Sequence, residues 1–216
     1  MKIAIIGASG KAGSLVAKEA AARGHEVTAI VRSAAKAAAA GLNGFAVLEK
    51  DIFDLNAQDL GAFDVVVNAF GASPGQERQH VDAGRSLIGA LQGAPGTRMI
   101  VIGGAGSLYV DEAKTVRLVD TPEFPEMYKA TALAAADHLE DLRAASGIRW
   151  TFMSPAAFFD AAGKRTGTYR AGTDWLLVNA KGDSYLSYED GALALVDEIE
   201  RPQHENARFT VVSEAD

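Results

Sequence analysis

Short apolar runs rich in valine and isoleucine recur along the chain, and longer segments of mixed polarity separate them. Runs of this kind predict strands of a parallel sheet, and the nearly continuous run over residues 64–70 is typical of a strand buried on both faces. We predict such strands over residues 2–6, 26–31, 45–48, 64–70, 98–102 and 150–153. Between them, helical spacing or alanine-rich sequence predicts helices over residues 12–23, 34–40, 77–91 and 126–145. The alternation of strand and helix indicates an α/β fold.

The pattern changes after residue 154, where the strand and helix alternation stops. Residues 175–178 and 184–187 flank the turn-forming sequence Asn-Ala-Lys-Gly-Asp, which predicts a β-hairpin. Ser187, Tyr188, Glu189 and Asp190 are typical of a helix N-terminus, and a helix through residue 199 and a strand over 209–212 follow.

Residues 109–125 have no regular period and contain Pro122 and Pro125, which predicts a surface loop. The sequence shows no repeats and no linker. We therefore assign residues 1–216 to a single domain, with an insertion over residues 155–187 that contains the predicted hairpin.

A glycine-rich turn directly follows the first strand and has the sequence Gly7-Ala8-Ser9-Gly10-Lys11-Ala12-Gly13. Glycines at such a turn let the backbone approach a pyrophosphate, and the amides of the following helix N-terminus face it. The alternative is an ordinary tight turn between a strand and a helix. Because further strand and helix units follow, we predict a Rossmann-type doubly wound parallel sheet of order 3-2-1-4-5-6 that binds a nicotinamide dinucleotide.

Arg32 ends the second strand, where enzymes that use NAD carry an acidic residue for the ribose hydroxyls. A guanidinium group matches a 2′-phosphate, so this position favours NADPH over NADH. The alternative is a solvated basic residue at a strand end. Lys11 and Lys36 are either additional sources of positive potential or surface lysines.

Two further segments are candidates for contact with the dinucleotide. Asp51 and Ile52 follow the third strand, where an acceptor group would hold the adenine, although Asp51 is nearly as well suited to cap a helix. Ala69, Phe70 and Gly71 end the fourth strand and should lie along the adenosine ribose and the nicotinamide, unless Phe70 belongs to the core.

Most short-chain dehydrogenases use a Tyr as general acid and a Lys four residues later on the same helix face. This sequence does not contain that pair, because Ala132 stands four residues after Tyr128, and Tyr128 and Lys129 point about 100° apart on a helix. Ser107 follows the fifth strand, where that superfamily places its catalytic Ser, but serines in such turns often serve the backbone. Hydride transfer to a conjugated ring needs positioning more than a protein acid.

Several segments together carry a resemblance to a known family. They are the GxxGxxG turn, Ile30-Val31-Arg32, Phe124-Pro125, Ser154-Pro155, and the stretch from Leu186 to Pro202 with Phe209-Thr210-Val211. In these the chain resembles the bacterial NADH-flavin reductases, atypical short-chain dehydrogenases related to biliverdin reductase B and NmrA-like proteins.

The resemblance implies NAD(P)H-dependent hydride transfer to a flavin such as FMN or FAD, or to a related conjugated acceptor. In that scheme Ser107, Lys129 and Pro155 border the nicotinamide, Ser107 and Lys129 are the catalytic candidates, and the insertion lies on the substrate side. The alternative is an NmrA-like redox sensor that binds NADP(H) without turnover. A sugar-nucleotide epimerase would need the Tyr and Lys pair, so we reject that interpretation.

Composition narrows the remaining classes. The chain of 216 residues has no cysteine, which leaves no disulfide, thiolate zinc site or cysteine nucleophile. A first strand that starts at Lys2 leaves no room for a secretory leader, so we expect a cytoplasmic protein. A net charge of −7 argues against nucleic-acid binding, and the apolar runs are too short to span a membrane.

The histidines suggest no metal site. They lie at positions 25, 80, 138 and 204, and none has a second ligand at metal spacing. We expect His138 on a solvated helix face beside its acidic neighbours, and Trp175 in core packing rather than against an acceptor ring. The expected partner is a small-molecule acceptor, and the expected assembly is a monomer or homodimer.

Overall fold

The computed structural model describes residues 1–214. The strands are β1 Lys2–Ile6, β2 Glu26–Val31, β3 Ala46–Glu49, β4 Val65–Asn68, β5 Arg98–Ile102, β6 Arg149–Ser154, β7 Phe158–Asp160, β8 Tyr169–Gly172, β9 Tyr185–Ser187 and β10 Ala207–Ser213. The helices are α1 Lys11–Ala22, α2 Ala34–Ala39, α3 Ala57–Leu60, α4 Arg78–Gln92, α5 Glu126–Ala144 and α6 Tyr188–Glu200. Short 3₁₀ turns occupy Ile52–Asp54 and Leu118–Asp120.

Eight strands form the central sheet in the order β3-β2-β1-β4-β5-β6-β10-β8. All neighbouring pairs are parallel except β10 and β8, which run antiparallel. The predicted order 3-2-1-4-5-6 is confirmed, and β10 and β8 extend the sheet beyond β6. The sequence order reverses between β1 and β4, and in doubly wound sheets this switch point is where ligands bind.

The apolar runs alternate their side chains between two cores, one on each face of the sheet. Ile3 and Ile5 pack with α1 and α6 on one face, while Ala4 and Ile6 pack with α4 and α5 on the other. Every residue of β4 is buried, which explains its continuous apolar sequence. No helix among the described residues combines the length and apolar character needed to cross a membrane.

The predicted hairpin over residues 175–178 and 184–187 does not form. β9 pairs instead with β7, in parallel, as a separate two-stranded sheet. Residues 175–178 form no strand, and Trp175 makes only an isolated bridge to Tyr109. The turn at 179–183 does form, with Asn179 Oδ1 accepting hydrogen bonds from the amides of Lys181 and Asp183. The open edge of β10 pairs with β8. Contacts between segments distant in sequence, and not the turn at 179–183, therefore decide which strands pair.

The predicted surface loop over residues 109–125 is more ordered than its sequence suggests. It contains the 3₁₀ turn at Leu118–Asp120, and Val119 is fully buried. The Asp111 carboxylate accepts hydrogen bonds from the amides of Thr115 and Val116, which closes the chain on itself. The loop therefore covers one end of the sheet as a packed segment.

Candidate active site

A cavity of about 550 Å³ opens at the carboxyl ends of β1, β2 and β4. Most of the residues predicted for dinucleotide contact line it. These are Gly7, Ser9, Gly10, Lys11, Ala12, Gly13, Arg32, Ile52, Ala69, Phe70 and Gly71. We call this space the glycine-lined cavity.

The glycine turn leaves no room for side chains at two of its positions. Gly7 has a φ of 74°, and a Cβ there would lie 2.6 Å from the carbonyl oxygen of Ala69. A Cβ on Gly13 would lie 2.5 Å from the carbonyl oxygen of Gly7. Within residues 1–214, no side chain caps the N-terminus of α1, whose N-cap residue is Gly10. The uncapped amides and the bare backbone fit a pyrophosphate group.

Basic side chains are placed around the glycine-lined cavity. Arg32 is exposed at the end of β2, and among residues 1–214 it has neither a hydrogen bond nor an ion pair. The nearby Glu49 carboxylate is engaged, since it accepts a hydrogen bond of 2.7 Å from the Ala34 amide. Lys50 also lines the cavity and pairs with Asp59 at 2.6 Å. The Arg32 guanidinium is thus available to a ligand anion.

Ala8 and Asp51 are predicted contact residues that do not line the glycine-lined cavity. Ala8 is fully buried in the core beneath α1. Asp51 accepts a hydrogen bond of 3.0 Å from the Phe53 amide and so caps the 3₁₀ turn that begins at Ile52. The capping alternative for Asp51 is the one that the structure contains, and only Ile52 of this pair reaches the cavity.

A second cavity, of about 690 Å³, adjoins the first. We call it the apolar cavity. The two share a wall formed by Phe70, His80, Ile102, Gly103, Phe159 and Tyr188. The remaining lining is largely aromatic or small and apolar, with Phe124, Tyr128, Phe152 and Phe158 as its large members. The two cavities therefore meet at the carboxyl end of β5.

The second glycine-rich turn, over residues 103–106, lets neighbouring elements approach the apolar cavity. A Cβ on Gly103 would lie 2.0 Å from the ring of Phe152 on β6. A Cβ on Gly106 would lie 2.7 Å from Ala132 on α5. Because both positions are glycine, Phe152 and the first half of α5 can pack directly against the turn.

His138 is a member of this site that the sequence pattern misplaced. It was expected on a solvated face, yet it is only 4% exposed and lines the apolar cavity. Its ring lies edge-on to Phe152 at 6.2 Å and fits against α4 because residue 84 is glycine. Within the described chain its Nε2 atom is buried without a hydrogen-bond partner. Burial lowers the pKa of His138 to about 4, so the ring is neutral.

The signal for His138 was present as a helical stripe. Thr131, Ala135 and His138 follow one another at intervals of four and three residues and all line the apolar cavity. His80 of α4 lies in the shared wall, edge-on to Phe70 at 5.7 Å. Its Nε2 accepts a hydrogen bond of 3.4 Å from the Ala72 amide, and burial lowers its pKa.

Comparison with known proteins identifies the family. A sequence profile described as NAD(P)H-binding matches residues 7–202 of the chain. The chain belongs to the NAD(P)H-binding family. This agrees with the glycine-lined cavity, because Gly7, the first residue of that match, is part of its lining.

Relatives of the NAD(P)H-binding chain cover its full length. YwnB of Bacillus subtilis, described as uncharacterized, is 62% identical over 100% of both chains. SP1627 of Streptococcus pneumoniae, provisionally described as an NADH-flavin reductase, is 44% identical with a TM-score of 0.93, over 99% of this chain and 100% of its own. A Bacteroides thetaiotaomicron protein, provisionally described as an epimerase, is 34% identical with a TM-score of 0.87, over 100% and 98%. These findings support an NAD(P)H-binding oxidoreductase.

The two catalytic candidates of the sequence lie outside both cavities of the NAD(P)H-binding fold. The Ser107 hydroxyl accepts a hydrogen bond of 2.9 Å from the buried Arg208, which also pairs with Asp174 at 2.6 Å. Lys129 lies 3.7 Å from Glu126 and lines neither cavity. A catalytic role for either residue is not supported, because each side chain faces another partner.

Pro155, which the resemblance places beside the nicotinamide, lines the apolar cavity. Trp175 lies elsewhere: it is 39% exposed, donates to the carbonyl of Asp111 and carries Lys114 above its ring. It is therefore neither a core residue nor a wall of the site. Among residues 1–214, no group of three or more His, Asp or Glu side chains is arranged to hold a metal ion.

Proposed function

We propose that this protein is an NADPH-dependent reductase that transfers hydride directly from the nicotinamide to a flavin or similar conjugated acceptor. The observation that carries the proposal is the contact between its two cavities. One is polar and glycine-lined, the other is apolar and aromatic, and they share a wall at the switch point of the sheet.

The residues of the glycine-lined cavity fit a phosphorylated dinucleotide. Gly7, Gly10 and Gly13 would receive the pyrophosphate, because a Cβ at Gly7 or Gly13 would fill the approach to the backbone. Arg32 would bind the 2′-phosphate with a guanidinium that is free of other partners among residues 1–214. The bound cofactor supplies the hydride, and the protein supplies its position.

The apolar cavity suits a flat ring. Its volume of about 690 Å³ lies within the range of roughly 300–1,000 Å³ that small-molecule sites occupy. Phe70 and Phe159 stand in the shared wall, so a ring bound against them would face the nicotinamide end of the first cavity. Phe152 and Ile102 add apolar surface that excludes water from the reacting atoms.

Catalysis by positioning the two ligands needs no general acid from the protein. This agrees with the sequence, in which Tyr128 and Lys129 do not lie on the same helix face. A conjugated acceptor delocalises the added charge and can take its proton from water, so no side chain has to deliver one. Holding the two rings in contact would then supply most of the rate enhancement.

A turnover assay tests the proposal. NADPH oxidation should be saturable with FMN, FAD or another conjugated acceptor, and NADPH should be used more efficiently than NADH. Tight NADPH binding without turnover on any acceptor would instead support a sensor of the NmrA-like kind.

A further inference from the structure

We propose that the acceptor bound in the apolar cavity is an uncharged conjugated ring, not one that carries a phosphate or carboxylate group. The inference rests on the proposed function and specifies its second substrate. It is carried by the unequal distribution of charge between the two cavities.

Cationic side chains lie on the cofactor side. Lys11 and Arg32 line the glycine-lined cavity and make no ion pair within residues 1–214, so they are available to the phosphates of a dinucleotide. Lys50 also lines it but pairs with Asp59 at 2.6 Å. The lining of the apolar cavity, as far as residues 1–214 are concerned, contains neither lysine nor arginine. An anionic group on an acceptor in the apolar cavity would therefore have no basic side chain of that lining to pair with, because the basic side chains line the other cavity.

The ionisable side chains that line the apolar cavity do not supply the positive charge that an anionic acceptor would need. Burial lowers the pKa of His80 and His138, so both rings are neutral near pH 7. Burial raises the pKa of Tyr188, which keeps its hydroxyl protonated. Glu123 also lines the cavity, is exposed, and contributes a negative charge.

Among the described residues, two cations adjoin lining residues in sequence, and each pairs with a carboxylate. Arg117 precedes Leu118 and lies 2.7 Å from Asp120. Lys129 follows Tyr128 but lies 3.7 Å from the carboxylate of Glu126. Because Glu126 pairs with Lys129, the surplus negative charge of this segment is that of Glu123. A phosphate that extended from a bound ring past Glu123 would be repelled.

The walls favour a flat ring by shape and by surface. Phe159 and Tyr188 stand 4.0 Å apart between ring centroids at the shared wall. Phe158 also lines the apolar cavity, and because it is 61% exposed its ring offers an aromatic surface to an incoming ligand. Aromatic faces stack on conjugated rings without requiring charge on them.

Riboflavin and FMN provide a matched pair, because they share one ring system and differ in the phosphate. At saturating NADPH, we expect kcat/KM for riboflavin to exceed that for FMN by roughly tenfold, the equivalent of about 1.4 kcal/mol, because the FMN phosphate is repelled by Glu123. Flavin fluorescence quenching in the presence of NADP should show the same order of affinity.

Glu123→Lys should bring the riboflavin to FMN ratio of kcat/KM to one or below. Glu112→Lys makes the same charge change on an exposed residue that lines neither cavity, and it should leave the ratio unaltered. A ratio that falls equally in both variants would overturn the role given to the apolar cavity.

Failure of this inference differs from failure of the proposed function. Equal or better use of FMN by the wild-type protein overturns the uncharged acceptor and leaves the reductase in place. Binding that favours riboflavin without turnover supports the uncharged ligand and overturns the reductase. If neither flavin binds or reacts, and a neutral naphthoquinone is also inert, the inference is wrong.

Discussion

Gly84→Ala isolates the packing of His138 against α4. A Cβ at residue 84 would lie 2.4 Å from the Cδ2 and Nε2 atoms of His138 and 2.8 Å from Cε1. Ordinary contacts of a Cβ begin near 3.4 Å, so the buried ring would have to move by about an ångström. The ring also packs on Phe152, which leaves it little freedom to do so.

Two effects of opposite sign determine how Gly84→Ala changes the free energy of unfolding. Alanine in a helix interior is favoured over glycine by about 1 kcal/mol, while overpacking a core costs about 1–3 kcal/mol. Because the added Cβ would clash with three ring atoms, we expect the cost of overpacking to lie near the upper value. The net loss in the free energy of unfolding should be about 2 kcal/mol.

Gly89→Ala provides the control on the same helix. Nothing lies within 4 Å of a Cβ at that position, so only the gain in helix propensity remains. We expect Gly89→Ala to stabilise the protein by up to about 1 kcal/mol. Urea denaturation, with coincident fluorescence and circular dichroism transitions, measures both free energies.

A double-mutant cycle with His138→Ala tests the cause. Without the imidazole ring, the Cβ added at position 84 enters vacated space, so Gly84→Ala should stabilise the His138→Ala background while it destabilises the wild type. If Gly84→Ala has the same sign and size in both backgrounds, the proposed contact does not explain its effect.

Two further changes test the cofactor side and the buried histidine. Arg32→Glu should raise the Kd of NADPH by roughly 10- to 100-fold, the equivalent of one lost charge-assisted contact of about 1.5–3 kcal/mol, and should alter the Kd of NADH little. Fluorescence titration measures both constants, and equal losses would contradict the assigned role. Burial lowers the pKa of His138 from 6.5 to about 4, against the attraction of Asp141, so the unfolded state takes up the proton first. Stability should fall by about 3 kcal/mol between pH 6.5 and pH 4 relative to His138→Leu, measured by urea denaturation; parallel pH profiles would contradict a buried neutral ring.

The sequence alone was sufficient to predict the six parallel strands at whose carboxyl ends the site lies. Apart from the edge strand β3, which is mostly exposed, these strands are largely apolar and buried. Apolar runs of this kind report burial on both faces without knowledge of distant neighbours. β7, β8 and β9 are three to four residues long, and their partners are decided by which sheet edges are open. A local turn signal at 179–183 therefore predicted the wrong pairing.

Within the candidate site, too, features set by adjacent residues could be predicted, and features set by distant residues could not. The glycine turn could be predicted because a strand, a turn and a helix N-terminus are adjacent in sequence, and Arg32 because it directly follows the second strand. Ser107 was misplaced because its hydroxyl partner, Arg208, is 101 residues away. His138 was misplaced because its acidic neighbours in sequence indicated a solvated face, whereas the space for its ring depends on Gly84 of a different helix.

The central claim is that hydride passes between ligands in the two adjoining cavities. An anaerobic single-turnover experiment tests it directly, with NADPH bound in excess enzyme and riboflavin or a neutral quinone as acceptor. The loss of NADPH absorbance should keep pace with acceptor reduction, and deuterium at the transferred position of the nicotinamide should slow both together. Tightly bound NADPH that stays unoxidised with every acceptor would contradict the account.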